Sequence, residues 1–262
     1  MKNLVYLFVV LGLLISCKKE ATNNNNTNSV TCVDNPNINF TSIGTPVGKF
    51  SDCIKDIDGN TYKTVTIGTQ TWMAENLKTS KYNDGTIIPN ILDNDKWMND
   101  TLGAWCNYKN DTSYNSKYGK LYNGYVIVNT KNKNVCPSGW HIPTYSEWLI
   151  LTDYLGGEKI AGGKMKEVGT SNWNAPNTDA TNISLFSGIP ISSRGYDGFY
   201  YNKFGTIVSW WSQSKWKTPS TDPNLIVSGK SLWYFYVESY HSELGKLGGG
   251  LSGGTPIRCI KD

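Results

Sequence analysis

The sequence predicts a strand-rich domain with limited helix. Two segments, 62–67 and 231–240, alternate along the chain with the period of two that a half-buried strand requires. Glycines and asparagines divide the chain into short segments, and aromatic residues are abundant, with 10 Trp and 16 Tyr. Only one stretch, about 144–155, has the three-to-four residue spacing of an amphipathic helix.

The N-terminal residues predict export. A short basic start precedes an apolar run, Leu4 to Ile15, that is shorter than the roughly 20 residues of a spanning helix. Residues 1–16 are therefore predicted to be a signal peptide. The Leu-Ile-Ser triplet before Cys17 looks like a bacterial lipobox, which predicts that Cys17 carries lipid and anchors the chain to a membrane. The alternative is an ordinary signal peptide that happens to contain Cys17.

The rest of the chain divides into a tether and one domain. Residues 17–50 begin with a polar stretch that includes four consecutive asparagines, and this composition predicts a flexible tether. Residues 51–262 have the length of a single domain. The net charge is +4 with scattered lysines and arginines, so we expect no nucleic-acid partner.

The first element expected in the domain is a hairpin. Asp58-Gly59-Asn60 has the composition of a tight turn, residues 62–67 alternate as a strand, and Gly68 and Thr69 indicate a second turn before residues 71–73. Asp56, Asp58 and Asn60 could also form a calcium loop. However, an EF-hand loop needs Gly at position six and Glu at position twelve, where this chain has different residues. No metal is predicted.

The clearest helix follows Pro143. Thr144 and Glu147 have the spacing of a capping box, and Gly156-Gly157 ends the apolar pattern. Because capping accounts for Glu147, neighbouring His141 is interpreted as a partly buried structural anchor. A catalytic role for His141 is the alternative.

Near the C-terminus, segment 231–240 predicts a strand with one core face and one solvated face. Trp233, Phe235 and Val237 fall on one side. The other side carries Tyr234, Tyr236, Glu238 and Tyr240.

The six cysteines fit an oxidising compartment. If Cys17 carries lipid, five remain, so at most two disulfides form and one thiol is left. No CxxC pair occurs and only two histidines are present, so no zinc site of usual spacing is expected.

Seven ordered blocks from Asp56 to Asp262 resemble the Fibrobacter succinogenes major paralogous domain family, which is common in exported bacterial proteins. The blocks are DIDGNTYKTVTIGTQTWMAENLKTSKYNDGT, YGKLYNGY, CPSGWHIPTYSEW, AGGKMKE, NWNAPNTDATN, SWWSQS and PIRCIKD. The resemblance implies an α+β, C-type lectin-like fold of the kind shared with formylglycine-generating enzymes. It also implies that Cys136 pairs with Cys259. Cys32 with Cys53 is the expected second bridge, which leaves Cys106 single.

The chain departs from this family in one loop. Where relatives read like FSALPGGYR, this sequence has FSGIPISSRGYDG, so the loop around Arg194 is expected to differ, and with it any ligand held there. The calcium-ligating triplets of sugar-binding C-type lectins are absent from the sequence. Lectin activity therefore does not follow from the fold.

The favoured function is a non-catalytic binding module without a cofactor, carried by an outer-membrane lipoprotein that faces the periplasm or the cell surface. Aromatic rings stack on the apolar faces of sugars, which favours polysaccharide as the partner. The candidate binding residues are Arg194, Trp210, Trp211, Trp216, Tyr234, Tyr236 and Tyr240. At least one of Trp210 and Trp211 is expected to be core instead.

Two alternatives remain open. One is adhesion or envelope assembly through a surface protein. The other is an enzyme related to formylglycine-generating enzymes or a hydrolase. An oxidase of that type needs reactive cysteines, whereas Cys136 is expected in a structural bridge. The acidic candidates Glu167, Asp179 and Glu238 have no spacing that predicts a catalytic pair.

Overall fold

The computed structural model describes residues 45–129, 133–216 and 230–262. This part of the chain is an α+β domain, rich in strands, with three small antiparallel sheets and five short helices. The strands are β1 (Gly48–Lys55), β2 (Thr61–Ile67), β3 (Gln70–Met73), β4 (Trp105–Cys106), β5 (Leu121–Asn123), β6 (Trp140–His141), β7 (Ile207–Lys215), β8 (Ser231–Glu238), β9 (Gly245–Gly250), β10 (Gly254–Thr255) and β11 (Ile260–Lys261). The helices are α1 (Asn94–Asn99), α2 (Asn115–Tyr118), α3 (Tyr125–Val128), α4 (Tyr145–Tyr154) and α5 (Glu158–Met165).

The largest sheet joins the two ends of the domain. Its strand order is β1-β2-β3-β11-β6, so the last strand of the chain lies between β3 and β6. The predicted hairpin is confirmed as β2 and β3, with Val65 opposite Trp72. The turn at Asp58-Gly59-Asn60 connects β1 to β2, and the Gly59 amide donates to the Asp56 carbonyl. The first strand starts slightly ahead of residue 51, the expected start of the domain.

The second sheet has the order β10-β5-β4 and the third has the order β7-β8-β9. The C-terminal strand prediction is confirmed for residues 231–238. Phe235 and Val237 are buried, whereas Tyr234 and Tyr236 on the other face are only partly buried. Trp233 packs against the core from a partly buried position.

Aromatic rings fill the space between α4 and the sheets. Trp148 lies at the centre, with its ring stacked on Phe235 at 4.9 Å and tilted against Trp72 at 4.8 Å. Phe186 meets Trp210 edge to face at 5.2 Å. These large side chains bury apolar area in a fold that has little regular secondary structure.

Helix α4 begins with the predicted capping box. The Thr144 hydroxyl accepts from the Glu147 amide at 3.2 Å, and the Glu147 carboxylate accepts from the Thr144 amide at 2.7 Å. Two glycines with positive φ, Gly156 and Gly157, follow the helix. Among the described residues, no helix is long and apolar enough to cross a membrane.

The predicted disulfide between Cys136 and Cys259 is confirmed, and the two cysteines are 123 positions apart in the sequence. Cys53 is also disulfide-bonded, but its expected partner Cys32 lies outside the described residues, as do Cys17 and the rest of residues 1–44. Cys106 is a free, buried thiol. Burial raises the pKa of this thiol, so it is uncharged at neutral pH.

Buried cations hold the irregular segments together. The Lys166 ammonium donates to the carbonyls of Thr178, Glu238 and His241 at 2.8–2.9 Å. Arg258 donates to the carbonyls of Phe186 and Ser187 and to Asn76 Oδ1. Carbonyl groups of loops, which lack ladder partners, are thereby satisfied inside the molecule.

Candidate functional site

A cavity of about 400 Å³ lies on the outer face of the third sheet. Three segments enclose it: the loop 193–203, the sheet face formed by β7 and β8, and the glycine-rich stretch 248–255. The lining residues are Ser193, Arg194, Gly195, Tyr196, Tyr201, Lys203, Ile207, Ser209, Trp211, Tyr234, Gly248, Gly249, Gly250, Gly253, Gly254 and Thr255.

Strand alternation explains which side chains reach this cavity. In β7 the odd positions Ser209 and Trp211 face it, and Trp211 is opposite Tyr234 in β8. The even position Trp210 is opposite Phe235 and belongs to the core face. The cavity therefore lies on the face of β8 that the sequence pattern assigned to solvent.

Backbone contacts hold the walls of the cavity together. Arg194 and Gly254 exchange two hydrogen bonds, of 2.9 and 2.8 Å, which join the loop 193–203 to β10. The hydroxyls of Ser209 and Thr255 lie 2.7 Å apart and join β10 to the sheet. These contacts within the protein hold the loop 193–203, β10 and the third sheet together without a ligand.

Glycine at position 249 allows close packing of two aromatic rings on the backbone of β9. A Cβ atom there would lie 3.0 Å from Tyr234 Cδ1 and 3.2 Å from Trp211 Cη2. The rings of β7 and β8 can therefore lie directly on the backbone of β9. This contact fixes the positions of two aromatic walls of the cavity.

Arg194, a binding candidate from the sequence, lines the cavity, but its guanidinium is occupied by contacts within the protein. The residue is 1% exposed, and its guanidinium donates to the carbonyls of Ile91, Leu92 and Gly198 and to Asn94 Oδ1, at 2.6–3.0 Å. It also lies 4.4 Å from the Trp97 ring centroid. Because the N–H groups of its guanidinium hold loops, Arg194 shapes the cavity wall and leaves few hydrogen-bond donors for a ligand.

Trp210 was a wrong candidate for a surface aromatic. It is fully buried, and its indole N–H donates to Asn76 Oδ1 at 2.8 Å. Trp211 is also buried, at 2% exposure, and its indole N–H donates to the Tyr122 carbonyl, so it is not a surface residue either. Trp211 nevertheless lines the cavity, and the physical reason for the difference between the two is the alternation of faces along β7.

The remaining aromatic candidates occupy three different places. Tyr234 lines the cavity, and Tyr236 lies on the same face with its ring 6.0 Å away. Trp216 is partly buried, and its ring covers Gly248 and meets Trp233 edge to face. Tyr240 is 58% exposed and is not among the lining residues. The cavity thus brings together Arg194, Trp211 and Tyr234, but not the other candidates.

Apart from Arg194, sequence reasoning missed the residues that the loop 193–203 contributes to the cavity. Tyr196 is 69% exposed, Tyr201 is 45% exposed, and Lys203 is exposed as well. The available signal was the run GYDGFYYNK. Its aromatic residues are interspersed with Gly, Asp and Asn, which favour turns, so the run does not fit a core strand. The run GGGLSGG, which supplies the opposite rim, was a second signal.

The surroundings of the cavity raise the pKa of two of its tyrosines, Tyr234 and Tyr201. Burial, followed by the neighbouring Tyr236, Tyr201 and Glu238, raises the pKa of Tyr234. Burial, Asp197 and Tyr196 do the same for Tyr201. At neutral pH both phenols are therefore uncharged and can donate or accept a hydrogen bond.

His141 lies in a separate polar cluster. Its Nδ1 is 2.6 Å from Asp262 Oδ1 and its Nε2 is 2.8 Å from Glu147 Oε1. Burial lowers its pKa, but the hydrogen bonds of Asp262 and Glu147 outweigh burial, so the net pKa is raised. The contacts fit an anchor between α4 and the C-terminal strand.

The Asp56 and Asp58 carboxylates are already occupied by the protein. Asp56 accepts from the amide of Asn60 and from the hydroxyl of Tyr62 at 2.5 Å. Asp58 accepts from the Ser80 amide at 2.6 Å and pairs with Lys81 at 2.9 Å. Across residues 45–129, 133–216 and 230–262, no cluster of three or more His, Cys, Asp or Glu residues could hold a metal ion.

Comparison with known proteins identifies the family. The comparison with curated proteins found no match, and the comparison with solved structures found none either. The family model of the Fibrobacter succinogenes major domain matches residues 65–261. This range covers most of the chain and includes both the cavity and the disulfide between Cys136 and Cys259. The chain therefore belongs to the Fibrobacter succinogenes major domain family.

Proposed function

We propose that this protein is a non-catalytic binding module that recognises carbohydrate through the cavity on the third sheet. The observation that carries the proposal is the combination of aromatic rings with hydroxyl groups in one preformed concave site. Small-ligand sites are concave, mostly apolar and equipped with a few fixed polar groups, and this cavity has each property.

The chemistry of the lining matches a sugar. Tyr196, Tyr201 and Tyr234 offer rings that can lie on the apolar face of a pyranose. Ser193, the phenols and the backbone of the glycine segment offer neutral hydrogen-bond donors and acceptors for sugar hydroxyls. Lys203 adds one exposed ammonium at the rim.

The same lining gives little support to turnover. Its described residues include no carboxylate pair of the kind that most glycoside hydrolases use, and the groups able to transfer a proton there are the tyrosine phenols and the ammonium of Lys203. Cys106, the described free thiol, is buried with a raised pKa. We therefore favour binding over an enzyme related to formylglycine-generating enzymes.

Protein adhesion or envelope assembly is the second candidate. The observation that favours it is the pair of exposed aromatic residues on the loop beside the cavity, Tyr196 at 69% and Phe199 at 62% exposure. Exposed apolar side chains that lie together often mark a protein interface. The alternative predicts that a protein partner, and not a sugar, protects this loop.

The setting of the module is part of the proposal. We infer an outer-membrane lipoprotein, facing the periplasm or the cell surface, from the lipobox-like residues before Cys17 and from the polar composition of residues 17–50. We also propose kinship with C-type lectin-like folds, supported by the α+β architecture with little regular structure and by the disulfide that joins Cys136 to the C-terminal segment.

Replacing Cys17 with Ser tests the proposed lipid anchor. The replacement should move the protein from the membrane fraction to the soluble fraction, and an unchanged distribution would contradict the anchor.

A binding assay with matched variants tests the function. The full chain is titrated with laminarin, glucomannan, xyloglucan and arabinoxylan, and at least one is expected to bind. Tyr234→Ala and Tyr201→Ala should each weaken that binding by about tenfold, because each removes a ring worth ~1 kcal/mol or more. Tyr240→Ala is the control, since Tyr240 is exposed but does not line the cavity. Flat titrations with all four polymers, or equal losses in all three variants, would contradict the proposal.

A further inference from the structure

The loop 193–203 contains a tight hairpin beside the cavity. Arg194 pairs with Tyr200 across this hairpin as an antiparallel bridge. The Gly195 amide donates to the Phe199 carbonyl at 2.7 Å, which leaves residues 196–198 as a three-residue loop. Gly198 ends that loop with a φ of +83°. A glycine in this left-handed conformation is what common three-residue hairpin loops require at that place.

Further contacts hold the hairpin tip, residues 196–199, in one position. Arg194 Nε donates to the Gly198 carbonyl at 2.7 Å. Gly198 also lies against α1, because a Cβ atom at position 198 would be 2.5 Å from the Asn94 carbonyl oxygen. The Asp197 carboxylate accepts from the Phe199 amide at 3.1 Å. The protein itself therefore orders the tip.

Two large aromatic side chains at this tip remain in solvent. Tyr196 is 69% exposed and Phe199 is 62% exposed. Burial of a phenylalanine ring stabilises a fold, and Phe199 forgoes most of that contribution. Exposed apolar side chains on an ordered element mark an interaction surface.

The tip is continuous with the cavity. Gly195, Tyr196 and Tyr201 line the cavity. Phe199 lies outside the lining and follows Gly198, the residue that contacts α1. Because Tyr196 belongs both to the lining and to the tip, a ligand held in the cavity can continue onto the tip without leaving the protein surface.

We propose that Tyr196 and Phe199 form a second glycan subsite outside the cavity, so that the ligand is a chain of several sugar units that occupies both places. This inference rests on the proposed carbohydrate function and names the class of ligand. Aromatic rings stack on the apolar faces of pyranoses, and the Asp197 carboxylate at the tip can accept from sugar hydroxyls. Continuity with the cavity favours sugar units over a protein partner at the tip.

Two ligand lengths test the subsite. The polymer that binds in the assay above is cut to its disaccharide and its hexasaccharide, and both are titrated by calorimetry. The wild type should bind the hexasaccharide about tenfold or more tightly. Phe199→Ala should weaken hexasaccharide binding by about fivefold to tenfold and keep disaccharide affinity within about twofold, because only the longer ligand reaches the tip. Tyr240→Ala removes an exposed ring elsewhere and should change neither affinity.

The outcomes separate this inference from the proposed function. Tyr234→Ala should weaken both ligands, because Tyr234 lines the cavity. If it does so while folded Phe199→Ala, checked by thermal melting, binds the hexasaccharide as tightly as the wild type, the inference is overturned and the carbohydrate function stands. If none of the four polymers binds, the proposed function fails and the second subsite fails with it.

A matched pair of glycines tests whether the tip must be held in place. Gly198 and Gly59 have nearly the same φ, +83° and +84°, but a Cβ atom at position 59 would meet nothing within 4 Å. Both alanine variants therefore carry similar backbone strain, and only Gly198→Ala displaces the tip. Gly198→Ala should lower the ratio of hexasaccharide to disaccharide affinity by about fivefold, whereas Gly59→Ala should keep it within about twofold. Equal ratios in the two variants would overturn the placement of the subsite at the tip.

Discussion

Arg194 shows how one residue can stabilise several loops. Three of its four side-chain hydrogen bonds connect the loop 193–203 to the segment 91–94, and the fourth goes to the Gly198 carbonyl within the same loop. Lysine keeps the charge but lacks the planar fork that serves these acceptors together. Arg194→Lys should therefore lower the free energy of unfolding by about 2–4 kcal/mol, measured by urea denaturation. Lys203→Gln, at an exposed position on the same cavity, is the control and should change it by less than about 0.5 kcal/mol. Equal stability of both variants would contradict this role.

His141 should make stability depend on pH. The pKa of its imidazole is raised in the folded state, so the unfolded state, with a pKa of about 6.5, holds its proton less tightly. The contribution of His141 is therefore complete below about pH 6 and is lost as the pH rises through the folded-state pKa. We expect the stability difference between the wild type and His141→Asn to be largest near pH 6 and to shrink by about pH 9. A difference that is independent of pH across this range would show that the charge interactions with Glu147 and Asp262 contribute nothing.

At the scale of the element, α4 depends on its cap. The Thr144 hydroxyl satisfies the Glu147 amide, and Glu147 in turn connects the helix to His141. Thr144→Ala should destabilise the protein by about 1 kcal/mol, as the loss of an N-cap does in other helices. Ser146→Ala is the control because Ser146 is exposed one position further along the same turn. Denaturation curves that coincide for both variants would mean that packing of Trp148 alone holds the helix.

At the scale of the whole molecule, the disulfide between Cys136 and Cys259 connects the residues before α4 to the last strand. Because the cysteines are 123 positions apart in the sequence, the chain-entropy model assigns this bond up to about 5 kcal/mol. The double variant Cys136→Ala, Cys259→Ala should lose about 3–5 kcal/mol in guanidinium denaturation under non-reducing conditions. Cys106→Ala removes one buried thiol without opening a bridge and should cost clearly less. A double variant as stable as Cys106→Ala would contradict this assignment.

The sequence predicted those elements whose signals are local. Period-two alternation predicted β2 and β8, the turn at Gly68 and Thr69 predicted β3, and the Thr144 and Glu147 pair predicted the start of α4 within one residue. The same alternation assigned Tyr234 to the side of β8 on which the cavity lies. These signals succeed because neighbouring side chains along one strand or helix report directly on which face is buried.

The cavity could not be predicted in the same way. Its loop 193–203 has no periodicity, and its partner stretch 248–255 is mostly glycine, so neither segment carries a pattern of burial. Trp210 and Trp211 are adjacent and chemically identical in the sequence, yet only Trp211 lines the site. Which of two such residues reaches a surface depends on the register of β7 against β8, and that register is a tertiary property.

The sequence by itself determined the strand-rich composition of the domain, its hairpin, its capped helix and its family, because turn chemistry, capping and alternation act between near neighbours. Only the tertiary structure decided that Arg194 serves loops more than 100 residues away and that residues 193–203 and 248–255 meet across one sheet face. Contacts between segments so far apart depend on how the whole core packs, and no local pattern of side chains records that packing.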